Sequence, residues 1–169
     1  MSMLAGPSIP HPWIFQCALI GYALLVQFLG PLLYYQVGRG WRGILLWTLI
    51  LIYTLTGMLA AIFRDGYNTQ VIEPITENSV HDFVARLSFS AILILMFCTP
   101  LVLRTITWRL WRYTSVTLGL LTAIPIIPFE MELWPDYFGV TQRVFVATTM
   151  LWVFITSLRI RSDLRNSPI

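Results

Sequence analysis

Lysine is absent from this 169-residue chain, and charge of either sign is scarce, at 11 arginines, 8 acidic residues and 11% charged residues together. A soluble domain carries about 25% charged residues. A chain this poor in charge cannot coat a water-facing surface, so a soluble globular domain is excluded. The residues present instead are 57% hydrophobic, and the mean hydropathy of +0.72 excludes intrinsic disorder as well. With two cysteines the chain is not a disulfide-stapled secreted module. With two histidines, His11 and His81, it has too few to hold a haem mid-membrane on paired imidazoles. HxxxH and HExxH spacings, a Gly-rich phosphate loop, GxSxG and CxxC are also missing, which removes the usual signatures of a zinc site, a nucleotide site, a serine hydrolase and a dithiol.

What remains is apolar length. A helix crossing the roughly 30 Å hydrocarbon core needs about 20 mostly apolar residues. Five stretches meet that need, at 13–35, 43–63, 80–103, 113–129 and 139–158. They are continuous and do not alternate polar with apolar, so they predict helices, not barrel strands. The expected fold is therefore all-α, a polytopic bundle of five transmembrane helices forming a single domain over 1–169. The fourth stretch is the shortest and holds Pro125 and Pro128 near its end. The first is too long for a signal peptide and lacks a basic leader, so it is expected to remain as a span.

The arginines orient the bundle. In a five-span arrangement Arg39 and Arg42, then Arg104, Arg109 and Arg112, then Arg159, Arg161 and Arg165 all fall on one side. Seven of the 8 acidic residues fall on the other. The positive-inside rule then places the N-terminus outside and the C-terminus in the cytoplasm, and predicts a bacterial cytoplasmic (inner) membrane. Trp13, Tyr67, Trp134 and Tyr137 are expected in the outer interfacial belt, and Tyr34, Tyr35, Trp41, Trp108, Trp111 and Tyr113 in the inner one. The net charge of +3 is then a topological signal that gives no reason to expect a nucleic-acid partner. Cys17 and Cys98 fall on the order of 20 Å apart in depth, too far to bridge.

Helices in lipid gain from close backbone approach. Ser115, Gly119 and Ala123 form a small-residue stripe on the fourth span, with Gly57 and Ala61 on the second and Ala85 and Ser88 on the third. These predict helix seams, with room for a flat cofactor as the alternative. Pro31 and Pro100 are expected to kink or end the first and third spans near their cytoplasmic ends. Gln16, Gln27 and Thr54 are isolated polar groups expected to make inter-helix hydrogen bonds.

The polar residues that invite a functional reading gather at the outer end. Asp65, His81, Asp82, Arg86, Glu130, Gln142 and Arg143 form a candidate ligand site or structural cluster. Arg86 lies inside its span, where an ionised group needs a partner, and Asp82 is its i−4 neighbour, so an ion pair between them is expected. His81 beside a carboxylate has the chemistry of a general base or a metal ligand. The plainer reading is an ion-pair network that fixes helix order, and no catalytic or metal residue is assigned.

Three runs resemble a known family. They are 57–65, in which a Gly/Ala-rich span ends at Asp65; 81–89, opening with His81; and Gly139-Val-Thr-Gln142-Arg143. Together, over roughly 45–160, they look like the bacterial membrane family called domain of unknown function 998. Members usually carry a further helix before these five and a Phe-Pro before the Asp, where this chain has Phe63-Arg64. The resemblance implies that Asp65, His81 and Arg143 share one outer cluster, and it implies no activity. The leading expectation is a non-enzymatic accessory or scaffold subunit that packs against membrane-protein partners or lipids, without a cofactor but with bound lipids. The alternative is a small membrane enzyme or a lipid-headgroup or ligand-binding protein using His81, Asp82, Arg86 and Arg143.

Overall fold

The computed structural model describes residues 11–38, 40–63, 66–67, 69–103, 108–130 and 138–166, by backbone alone at 127–130, 138 and 166. Its helices are α1 (Pro12–Gln27), α2 (Leu29–Val37), α3 (Trp41–Ile62), α4 (Glu77–Val102), α5 (Arg109–Glu130) and α6 (Phe138–Asn166). Two short strands, β1 (Gln70–Ile72) and β2 (Ile75–Thr76), stand between α3 and α4. Among the described residues, four helical runs are by length and composition apolar enough to cross a membrane: Pro12–Val37, Trp41–Ile62, Glu77–Val102 and Gly139–Arg165. α3 packs chiefly on α4, α1 and α2 flank α3, and α5 lies against both α4 and α6.

The first run departs from a continuous helix, and Pro31 accounts for the break. Proline offers no N–H to the carbonyl four residues back and crowds it. That carbonyl belongs to Gln27, where α1 ends, and the Phe28 N–H turns back to Leu25 O at 3.3 Å before α2 begins. Pro100 meets the same problem differently, because α4 continues to Val102. The carbonyl it deprives is that of Met96, and Ser115 Oγ of α5 donates to it at 2.8 Å instead. Ser115 Oγ in turn accepts from Trp152 Nε1 of α6 at 2.6 Å. One proline on α4 is thereby answered by a relay through two further helices.

The small-residue seams form where expected. A Cβ on Gly119 would press on the Phe97 ring at 3.0 Å, so the fourth stretch needs glycine there to approach α4. Gly57 faces Ser88 across α3 and α4. Two further close approaches join α2 to α3, with Gly30 under the Trp47 indole and Gly43 against Tyr34. Leu46, Ile50, Ile92, Leu95 and Met96 form the centre of the core at 0% exposure. Two of its buried threonines bond within their own helices, Thr54 to Ile50 O at 2.8 Å and Thr122 to Leu118 O at 2.7 Å.

The helices overrun the expected spans, because helical backbone continues past the hydrocarbon limits that hydropathy detects. α6 runs eight residues beyond 158, where Arg159 and Asp163 pair at i,i+4 spacing with N···O 2.7 Å. Asp163 also accepts from Trp108 Nε1 at 2.6 Å and Gln36 Nε2 at 2.8 Å, which ties α2, the start of α5 and α6 together at the arginine-rich end. Trp108 and Trp111, expected as interfacial rings, are buried, since their N–H groups find partners inside, Asp163 and Thr156. Tyr35, Trp41 and Tyr113 do face outward.

At the opposite end, the antiparallel β1–β2 pair was not foreseen from the sequence. Its strands are too short to show an alternation. It leads directly into α4, which opens on a reciprocal capping box between Thr76 and Ser79. α4 therefore begins at Glu77, before the expected position 80.

Candidate functional site

A partly open cavity of about 120 Å³ lies among α1, α3, α4 and α6. Each helix lines it at three- and four-residue steps, the spacing that keeps side chains on one face. α1 supplies Gln16, Leu19 and Tyr22; α3 supplies Tyr53, Gly57 and Ala61. α4 supplies His81, Ala85 and Ser88; α6 supplies Gln142, Phe145 and Thr149. The absence of bulk at Gly57, Ala61 and Ala85 is what leaves the space, so those seam residues serve both packing and cavity. Phe89 and Phe145, with ring centroids 4.3 Å apart, form an aromatic wall.

The polar lining falls in two layers. Gln16, His81 and Gln142 sit near the hairpin end, within the first turns of their helices. Tyr22, Tyr53, Ser88 and Thr149 lie about seven residues further along, a depth of roughly 10 Å at about 1.5 Å per residue. The deeper layer is largely self-satisfied. Tyr53 and Tyr22 meet hydroxyl to hydroxyl at 3.5 Å, Ser88 Oγ donates to Tyr53 O at 3.0 Å, and Thr149 Oγ1 donates to Val146 O at 2.9 Å.

The shallower layer is less satisfied. His81 Nδ1 lies 2.8 Å from Ala60 O and 2.7 Å from Phe63 O. Both carbonyls belong to the end of α3, where no intrahelical N–H reaches them. Carbonyls only accept, so Nδ1 carries the proton and donates to both. In the neutral ring Nε2 is then left with a lone pair, able to accept a hydrogen bond or a proton. Gln16 and Gln142 add carboxamides, each with two N–H donors and an acceptor oxygen.

Of the residues singled out from the sequence, the structure brings His81 and Gln142 into this cavity. Asp82, Arg86 and Arg143 are exposed and do not line it. The expected Asp82–Arg86 ion pair is not formed. Asp82 accepts from Asn78 Nδ2 at 3.1 Å, an equally spaced neighbour on the same helix. Asp65 lies outside the described residues, as does the side chain of Glu130. Gln16, Tyr22, Tyr53, Ser88 and Thr149 were missed as a group. The signal that could have found them is the seven-residue repeat of polar side chains, His81 to Ser88 and Gln142 to Thr149.

A helical bundle with apolar helices of spanning length around an inter-helix cavity defines a polytopic membrane protein. The chain belongs to the family described as Protein of unknown function (DUF998), whose model matches residues 1–159. The match takes in α1 and α2, beyond the 45–160 over which the motifs showed the resemblance. No curated protein and no solved structure matches the chain.

Proposed function

We propose that this protein is a five-span protein of the bacterial cytoplasmic membrane that binds a lipid-like amphiphile in the cavity among α1, α3, α4 and α6. The observation that carries the reading is the lining: apolar and aromatic walls closed at one end by His81, Gln16 and Gln142. Ligand pockets have this composition, mostly apolar with a few convergent polar groups. Gln16 and Gln142 are half-buried at that end, where their carboxamides offer a ligand's polar group both donors and an acceptor. The reading assigns binding to the site, with His81 Nε2 as acceptor, and makes no cofactor part of it.

Counting α5 as the fifth span supports the orientation. It brings Arg42, Arg109, Arg112, Arg159, Arg161 and Arg165 to one end and Glu73, Glu77 and Asp82 to the other. By the positive-inside rule the arginine end is cytoplasmic, the N-terminus is outside, and the cavity's polar layer lies toward the outer leaflet. The second reading, an accessory or scaffold subunit bound to a membrane-protein partner or to further copies of itself, rests on outward apolar faces such as Leu25, Phe28 and Phe154. Lipid covers such faces equally well.

Purification of the full chain in a mild detergent, followed by native mass spectrometry, separates the two. Retention of a co-purified lipid by the monomer, lost in Ala85→Trp, supports the binding reading. A stoichiometric complex with another membrane protein, and no lipid sensitive to Ala85→Trp, supports the accessory reading and sinks the first.

A further inference from the structure

We infer that the arginine end of the α5–α6 pair is a docking surface for an anionic phospholipid, whose phosphodiester sits among Arg109, Arg112, Arg161 and Arg165. This surface lies at the other end of the bundle from His81, Gln16 and Gln142. It does not depend on the cavity reading above and rests only on the bundle standing in a bilayer.

Hydrogen bonds fix which residues meet there. α5 and α6 pack together, and three bonds set their antiparallel register. Trp108 Nε1 donates to Asp163 at 2.6 Å, Trp111 Nε1 to Thr156 Oγ1 at 3.2 Å, and Thr122 Oγ1 to Thr148 Oγ1 at 2.8 Å. Arg109 therefore stands level with Arg161, and Arg112 and Arg165 lie about one helical turn to either side of that level. Arg109, Arg161 and Arg165 are exposed, and Arg112 is half-buried.

Charge selects the sign of the partner. The three segments of the sequence at this end, 36–42, 103–112 and 159–169, hold eight arginines and one acidic residue, Asp163. Asp163 already pairs with Arg159 at 2.7 Å and accepts from Trp108 and Gln36. One carboxylate cannot neutralise eight guanidinium groups, so this end is strongly positive and draws anions to it. A guanidinium meets the oxygens of a phosphodiester through paired N–H donors.

The neighbouring side chains select a lipid over a soluble acidic protein. Leu110 is 80% exposed, Tyr113 62% and Leu164 57%, and each adjoins one of the four arginines. Outward apolar side chains beside outward arginines suit the headgroup boundary, where the first meet acyl carbon and the second meet phosphate.

The full chain, delipidated in a neutral detergent, is offered dioleoylphosphatidylglycerol and dioleoylphosphatidylcholine in equal amounts, and the bound lipid is weighed by native mass spectrometry. The two probes share acyl chains and phosphate and differ in net headgroup charge. The expected result is at least about fivefold more phosphatidylglycerol, the preference that one engaged arginine confers. That excess should fall toward parity at high salt and in the triple variant Arg109→Gln, Arg161→Gln, Arg165→Gln. It should persist in Arg143→Gln, which removes an arginine at the opposite end, and in Ala85→Trp. If the triple variant does not fold, Arg165→Gln alone must lower the excess where Arg143→Gln does not. Equal retention of the two lipids, or an excess that the arginine variants keep, overturns the inference. An excess lost in Ala85→Trp assigns the lipid to the cavity and overturns it as well, while leaving the cavity reading standing. Binding of a soluble polyglutamate peptide that phosphatidylglycerol does not displace assigns the surface to an acidic protein and likewise overturns it.

Discussion

Trp152 donates its indole N–H to Ser115 Oγ at 2.6 Å, and the same oxygen donates to the Met96 carbonyl at 2.8 Å that Pro100 leaves without a backbone partner. α4, α5 and α6 are thus joined by a polar relay inside an apolar core. Ser115→Ala leaves both an indole N–H and a carbonyl unpaired, at a cost of about 1–3 kcal/mol. Pro100→Ala restores an N–H to the Met96 carbonyl. The double variant is therefore expected to recover part of the stability lost in Ser115→Ala, measured by thermal or denaturant unfolding in detergent. Additive losses in the double variant would show that the relay does not compensate for the proline.

Asp163 plays the corresponding part at the arginine end, receiving Trp108, Gln36 and Arg159. Arg159 also stacks over the Trp108 ring at 5.2 Å, so its charge is held against an aromatic face. Removing the carboxylate in Asp163→Ala strands that charge in a partly buried place. The expected loss is about 2–3 kcal/mol, in line with hydrogen bonds to charged groups. Gln36→Ala removes one neutral donor and should lose about 1 kcal/mol. Equal losses in the two variants would mean that the ionic partner contributes nothing special.

The class of the fold was legible in the sequence because hydropathy is a one-dimensional property, and a run of apolar residues means the same thing wherever it packs. Pro31 was also visible, but the break at Phe28 lies three residues before it, where the deprived Gln27 carbonyl ends α1. The cavity was not legible. It depends on which faces of four helices meet, and Gln16 looks isolated until α1 is set against α3, α4 and α6. His81 and Gln142 could be singled out because polar residues opening a span are conspicuous on any helix. Arg143 was equally conspicuous and turns outward, one position on from Gln142, which is a rotation of about 100° on a helix. The Asp82–Arg86 pair was a sound local expectation, but the i−4 neighbour that Asp82 bonds is Asn78.

Topology is directly testable, and the structure changes which positions to use. Ser79 would be a natural reporter of the acidic end, but its hydroxyl belongs to the α4 capping box, and cysteine there would weaken the cap. Gln70 on β1 is exposed and free of that role, and Ser162 is exposed at the other end of the bundle. With Cys17 and Cys98 replaced by serine, cysteines at 70 and 162 should react with an impermeant thiol reagent from opposite sides of the membrane. Labelling of both from one side would remove the five-span arrangement.

His81 separates a site from a structural network. An ion-pair network at the hairpin end would make Arg143 as important to stability as His81. His81 holds two terminal carbonyls of α3, while the side chain of Arg143 is exposed. His81→Ala is expected to lose about 1–2 kcal/mol from those unpaired carbonyls, and Arg143→Ala less than about 0.5 kcal/mol. The same geometry predicts the rarer imidazole tautomer, with the proton on Nδ1. Nitrogen-15 NMR of selectively labelled histidine should show a protonated Nδ1 and a bare Nε2 in the neutral ring, with the His81 signal identified by its loss in His81→Ala. A protonated Nε2 would mean that His81 presents a donor to the cavity, and a ligand hydroxyl could not then donate to it.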